Sequence, residues 1–309
     1  MPTEYFTAEE LERYATEYWR EVEESDGFDF SNGMMGGLMR YHCDCRYPYR
    51  ILVDLYAKAG LHRYNMLKGT SFQLAEMVKF NMTPNHVCSF YITLLAHEAA
   101  DNTSQKTFQV RVDEEKFSQL NMTCSIARLK GEVTTHKPWM PHFHCGAKAD
   151  GIFKGEIPDW PLDDDAFNDG KRFYVVEKSE WEANDWISMY LELVVCANDR
   201  SLTSTIQRTD VMSKLEIVKV AIETGIEDVE PPNERLKAKS AHVYIIFKGL
   251  AEARALRRVF EIGEHVERKA IVRRVIDDKG YLTLTGKLCG GQSTDTRTCK
   301  KRPRNSYGL

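Results

Sequence analysis

The residues best able to carry chemistry in this 309-residue chain gather in two short stretches. One is His42-Cys43-Asp44-Cys45, and the other is His136 together with His142-Phe143-His144-Cys145. Zinc takes imidazole nitrogen and thiolate sulfur in tetrahedral sites, commonly from residues about two to four apart. A single residue separates Cys43 from Cys45, and His142 from His144. That spacing is foreign to closed structural sites, so both stretches read as loop histidines and reduced thiols. Cys145 beside His142 is the nearest approach to a nucleophile and its base. A reactive thiol needs a lowered pKa and an orienting third group, and neither is visible. The eight cysteines form no CxxC pair, which leaves out a thioredoxin-like motif and a common zinc spacing. Gly36-Gly37 stands beside methionines and not after a strand, so it does not read as a phosphate loop. Asp163-Asp164-Asp165 reads as a solvated run. No catalytic, cofactor-binding or metal-ligating residue is expected, no cofactor is expected, and the chain is not expected to be an enzyme.

Bulk properties narrow the partners. Hydrophobic residues make up 42% and charged residues 28% of the chain, with 14 Tyr, 14 Phe and 5 Trp, an ordinary composition for a globular protein with sizeable cores. The net charge is only −4, and His62-Arg63, Arg257-Arg258 and Arg273-Arg274 are scattered. A nucleic-acid binder usually shows a basic domain, so no nucleic acid is expected. No apolar run approaches the roughly 18–20 residues that span a bilayer, so no membrane is expected either. The start, MPTEYFTAEELERY, lacks an apolar leader core. The expectation is an intracellular protein, cytoplasmic or nuclear and not secreted, with its thiols reduced. The N-x-[ST] sequons at Asn81, Asn102 and Asn121 then count as chance matches. The cluster Lys300, Lys301, Arg302 and Arg304 is a candidate nuclear-import signal, or else a solubilising tail.

The elements follow from periodicity. Thr7 and Glu10 form a capping box ahead of Leu11, Tyr14, Ala15, Tyr18 and Val22, an apolar stripe at helical steps over residues 8–23. Residues 24–46 read as irregular. A second helix is expected over residues 49–65, weakened by Gly60 by about 1 kcal/mol relative to Ala. Then the period changes to two. SFQLAEMVKF, HVCSFYITLLAHEA and KTFQVRVDEE read as strands, the last with Phe108, Val110 and Val112 on a buried face and Thr107, Gln109 and Arg111 on a wet one. Asp101-Asn102-Thr103-Ser104 reads as the turn between two of them, and residues 124–129 as a further strand. Residues 131–170 hold four of the ten prolines and read as a linker, anchored by Trp139, Phe143, Phe153 and Trp160.

Helix and strands then recur. RFYVVEK reads as a strand, Ser179 and Glu182 as a capping box, and a helix runs to about Asn198. SKLEIVKVAIET, SAHVYIIFKGL, RKAIVRRVID and YLTLTGKL read as strands, the last two joined at Asp277-Asp278-Lys279-Gly280, and residues 251–259 as a short helical insertion. Arg273 is read as part of an ordinary wet sheet face. LAEMVKF rhymes with LEIVKVA, and FQVRVDEE with AIVRRVIDD, a weak internal duplication. The expected organisation is a lead-in (1–46), a first half (47–130), a linker (131–170), a second half (171–289) and a basic tail (290–309).

The run YAKAGLHRYNMLKGTSFQLAEMVKFN…SFYITLLAHEAA…KTFQVRVDEE resembles plant cystatin-related proteins. With SEWEANDWISMYLELVV, SKLEIVKVAIETG and GEHVERKAIVRRVIDDKGYLTLTG, it is similar to an uncharacterised plant-specific family connected with embryo development. The resemblance covers most of residues 17–288. It implies an α+β, cystatin-like fold, a helix packed across a curled antiparallel sheet, here in two halves. Inhibitory cystatins wedge a Gln-x-Val-x-Gly hairpin into a papain-like protease. In the plant inhibitors a helix ending in a Tyr-Asn-like pair and a strand ending in Val-Lys precede that hairpin; Tyr64-Asn65 and Val78-Lys79 match these two ends, and the hairpin position falls on Thr83, Pro84, Asn85, His86 and Val87. Its glutamine, valine and glycine are absent, Pro84 removes a donor, and Val87 cannot easily take a glycine's positive φ. These five residues are the candidate interaction loop. The function expected is a non-enzymatic protein-binding or regulatory module with a protein partner. The alternatives are a divergent cysteine-protease inhibitor, or a metal- or thiol-dependent enzyme.

Overall fold

A computed structural model of the protein describes residues 7–33, 36–44, 47–138, 146–200, 212–225, 230–250 and 266–289. Its α-helices include α1 (Ala8–Glu24), α2 (Arg50–Lys68), α3 (Lys178–Glu182) and α4 (Asp185–Asn198). The first strands are β1 (Met39–His42), β2 (Phe72–Met82), β3 (Ser89–Glu98), β4 (Asp101–Glu114) and β5 (Leu120–Leu129). The rest are β6 (Phe173–Val176), β7 (Glu216–Glu223), β8 (Ser240–Lys248), β9 (Arg268–Ile276) and β10 (Leu282–Cys289). All ten join one sheet in the order β1-β2-β3-β4-β5-β10-β9-β8-β7-β6, and every neighbouring pair is antiparallel. The fold class is α+β, a mostly antiparallel sheet with a few helices.

The sheet reads the same from either edge. Each half runs inward from its first strand, and the two meet at a seam where Leu282 faces Cys124 and Gly286 faces Leu120. Both halves carry a register shift at the same motif. In β2 it falls between Met77 and Lys79, and in β7 between Ile217 and Lys219. The text around them is Glu76-Met77-Val78-Lys79 and Glu216-Ile217-Val218-Lys219, and both Val78 and Val218 are turned out to solvent. A bulge strands one residue and twists the chain, so the repeated EΦVK text marks the same bend twice.

Helices α2 and α4 pack against each other on one face of the sheet. Gly69 ends α2 in the left-handed region (φ 66°) and donates to the Asn65 carbonyl. Asn65 then ties the helix to β2, accepting from Phe72 N and donating to Phe72 O, both at 2.9 Å. A Cβ on Gly60 would lie 2.3 Å from Val110 Cγ1. The glycine that weakens the helix is thus the one that lets it sit on β4. The core between helices and sheet is continuous across both halves.

The opposite face is covered as well, which overturns the expected wet face. Arg111 and Gln109 on β4 are buried, at 0% and 4% exposed. Over the first half lie Tyr18, Val22, Phe28, Phe30 and Leu38, packed on Tyr91 and Ile126. Beneath them Arg111 is paired with Asp113 at 3.0 Å, and Asp113 also accepts from Ser89 and Ser125. Polar alternation marks which side chains are polar, not which are wet; a buried charge is tolerated when paired and hydrogen-bonded. Over the second half lies the segment 146–170, with Phe167 packed on Phe173, Tyr244 and Ile271, and Trp160 against them. Arg273 donates to the Gly155 carbonyl at 2.8 Å, so it does not belong to an ordinary wet face.

Four local expectations are corrected. The stretch 24–46 contains β1, paired with β2 from Met39 opposite Met82 to His42 opposite Lys79. Asp101 begins β4, and the chain reverses at Ala99-Ala100. The second capping box is Glu177 with Glu180, and the helix breaks at Ala183-Asn184 into α3 and α4. The α1 stripe is only half covered: Tyr18 and Val22 are buried, while Leu11 is 54% exposed. No helix among the described residues is long and apolar enough to cross a membrane. The expected helical insertion at 251–259 lies outside the described residues.

Candidate functional site

Two turns meet at one end of the first half. The β2–β3 connection, residues 83–88, carries the five candidate loop residues. Thr83 is 1% exposed; its N–H donates to Ser89 O at 3.1 Å, and its hydroxyl accepts from Ser89 N at 3.0 Å. Pro84, Asn85 and His86 form the exposed tip, and Val87 is half-buried. Cys88 closes the turn by donating its thiol to the Asn85 carbonyl at 2.7 Å. No residue of this turn has a positive φ. The glycine of the inhibitory motif is therefore not needed to make the bend, and Val87 is accommodated without strain. In the β4–β5 turn, residues 115–119, Ser118 takes the left-handed conformation (φ 59°) and Phe117 is 54% exposed. The His86 and Phe117 rings lie 6.2 Å apart, edge to face. They form a small aromatic ridge at the tip of the sheet.

A buried network holds both turns. Glu114, 3% exposed, accepts from Tyr56 on α2 at 2.6 Å, from Cys88 N at 3.0 Å and from Arg200 at 2.7 Å. Its own N–H donates to the Cys88 carbonyl at 2.9 Å. Burial, then the Glu114 charge, pushes the Tyr56 hydroxyl well above its ordinary pKa, so it remains a donor. Arg200 follows α4 of the second half and lies 5.6 Å from the Phe117 ring. The opposite crossing exists too. Arg63 of α2 donates to the Gly280 carbonyl at 2.5 Å, in the β9–β10 turn of the second half. Sequence reading placed the first turn but missed Phe117, Glu114 and Arg200, because only the sheet brings them together. The one local hint was an aromatic in a short polar turn, Glu115-Lys116-Phe117-Ser118.

The thiols among the described residues are poorly suited to nucleophilic work. Burial raises Cys43, Cys124 and Cys196 to about 12 and Cys88 to about 11. His42 is exposed and Cys43 half-buried, while Cys45 and residues 142–145 lie outside the described residues. Among the described residues no three His, Cys, Asp or Glu side chains converge as a metal site would require. Lys300, Lys301, Arg302 and Arg304 also lie outside the described residues. The sequon residue Asn81 is 1% exposed and donates to the Gly27 and Phe28 carbonyls, a structural role under the N-terminal cover.

An α+β chain with one ten-stranded antiparallel sheet and a ridge of paired turns is the class of molecule this defines. The chain is 53% identical to the UPF0725 protein At1g23970 of Arabidopsis thaliana over 96% of its own length and 97% of the relative's. It is 43% identical to the UPF0725 protein EMB2204 of the same plant, over 87% of this chain and 78% of that one. The family described as Protein MS5 matches residues 157–284. The crystal structure of MS5 from Brassica napus superposes with a TM-score of 0.57 at 30% identity, covering 79% of this chain and 100% of that one. The chain belongs to the plant-specific UPF0725/MS5 family.

Proposed function

We propose that the protein is a non-enzymatic protein-binding or regulatory module built from two cystatin-like halves, residues 47–130 and 171–289. In this reading it meets a protein partner through the turn end of the first half, inside the cell. In each half a helix lies across strands that follow it in the chain, the arrangement the resemblance to cystatin-related proteins implies. The observation that carries the reading is the Phe117–His86 ridge, exposed at its tip while Glu114, Tyr56 and Arg200 fix its base. Aromatic anchors on a rigid support dominate protein interfaces because they bury large area at little entropic cost. The raised thiol pKa values support a non-enzymatic role, since the thiolate is the nucleophile.

Immobilised protein should capture a reproducible partner from plant extract, and Phe117→Asp should lose it with an unchanged melting temperature. Equal capture by the wild type and Phe117→Asp would remove the ridge from the interface. A second reading, a divergent cysteine-protease inhibitor, is favoured by the two turns standing side by side as a blunt wedge. Full papain activity in the presence of high micromolar protein would dispose of it.

A further inference from the structure

A cavity of about 670 Å³ opens at the far end of the second half, between residues 150–153 on one side and residues 224–225 and 234–240 on the other. Its volume lies within the roughly 300–1,000 Å³ of small-molecule sites. Ile152 and Phe153 give it an apolar side, and Thr224, Arg235, Lys239 and Ser240 a polar one. Gly225 keeps the wall thin, since a Cβ there would come within 3.3 Å of the Phe153 ring.

Arg235 is the unusual member. It is 2% exposed, and only Nη2 has an acceptor, the Lys171 carbonyl at 2.5 Å. Its Nε and Nη1 are sealed from water and have no acceptor among the described residues. A guanidinium cannot shed its charge, and a buried charge without a counter-charge is costly. The nearest candidate in sequence, Glu234, is engaged with Lys237 at 2.7 Å. Arg274 is also buried with open nitrogens, but it lies 4.7 Å from the Trp186 ring, which offsets part of its charge. Arg235 has no such ring among the described residues.

We propose that this cavity binds a small organic monocarboxylate with an apolar or aromatic body. The carboxylate meets Arg235 as the guanidinium turns toward the cavity, exchanging the Nη2 bond to the Lys171 carbonyl for a charge-assisted pair. The body lies against Ile152 and Phe153. Asp150 and Glu234 on the same rim disfavour a polyanion, so a phosphate is the poorer fit.

The test is calorimetric titration of the full chain with phenylacetate, neutral 2-phenylacetamide and inorganic phosphate. Phenylacetate should bind one to one, at least roughly tenfold more tightly than the amide or phosphate, the worth of one charge-assisted pair. Arg235→Gln should abolish the preference for the acid. Because that residue is buried, Ile152→Glu provides an independent arm. Ile152 is 48% exposed, so the variant should fold normally, and its carboxylate in the wall should weaken phenylacetate by roughly tenfold or more. No phenylacetate binding, equal binding of the amide or phosphate, or unchanged binding to Ile152→Glu would overturn the proposal.

Discussion

Glu223 shows how much one buried carboxylate can organise. It accepts from His242 Nδ1 at 3.1 Å, Tyr244 at 2.8 Å and Arg172 at 2.5 Å. Burial pushes its pKa up, but the hydrogen bonds from His242, Arg172 and Tyr244 outweigh burial and hold it at about 2, against an ordinary 4.5. A carboxyl with a depressed folded pKa contributes stability above its unfolded pKa and loses it on the way down. The stability gap between wild type and Glu223→Gln should therefore be full above pH 4.5 and close as pH falls toward 2. Urea titrations at stepped pH measure it, and a gap that ignores pH contradicts the assignment. Gly60 makes the second point at this scale. Helix propensity alone has Gly60→Ala stabilising by about 1 kcal/mol. The Val110 contact at 2.3 Å reverses the sign, and overpacking should cost about 1–3 kcal/mol. Denaturant midpoints decide between them.

Among the elements, α1 separates pattern from packing. Its capping box is present in full, with Glu10 N donating to Thr7 Oγ1 at 3.2 Å and Thr7 N to Glu10 Oε2 at 2.8 Å. Its stripe is buried only where Phe28, Phe30 and Leu38 fold back over it. Leu11→Ser should stay within about 0.5 kcal/mol of wild type, and Val22→Ala should lose roughly 1–3 kcal/mol. Thermal unfolding of the pair checks this, and equal losses would mean α1 docks along its whole length. The long strands were legible because alternation survives over many residues. β1 was not: four residues, Met39-Arg40-Tyr41-His42, are too few to establish a period among glycines. The turn end was half legible. Residues 83–87 followed from counting along the resemblance, whereas Phe117, Glu114 and Arg200 reach it through three separate elements.

For the molecule as a whole, the seam is decisive. β5 and β10 pair edge to edge, Thr123 and Thr283 share a 2.8 Å hydrogen bond across them, and one core runs beneath both halves. Arg63 and Arg200 each reach from one half to the other, Arg63 to the β9–β10 turn and Arg200 to Glu114 at the end of β4. The halves should unfold together. Far-ultraviolet circular dichroism and tryptophan fluorescence should trace coincident transitions, and two separated transitions would show that the halves are independent.

The amino-acid sequence alone determined the α+β class, most of the helices and strands, and the recurrence of one pattern in two halves. Each of these rests on local periodicity and capping, which neighbouring residues settle among themselves. Only the tertiary structure decided that both halves share one sheet. It also decided that both sheet faces are covered, that Gly60 is a contact and not a defect, and that a buried arginine lines a cavity. Those depend on which distant segments lie on one another, and residues such as Arg111 and Asp113 look the same in sequence whether they face water or each other.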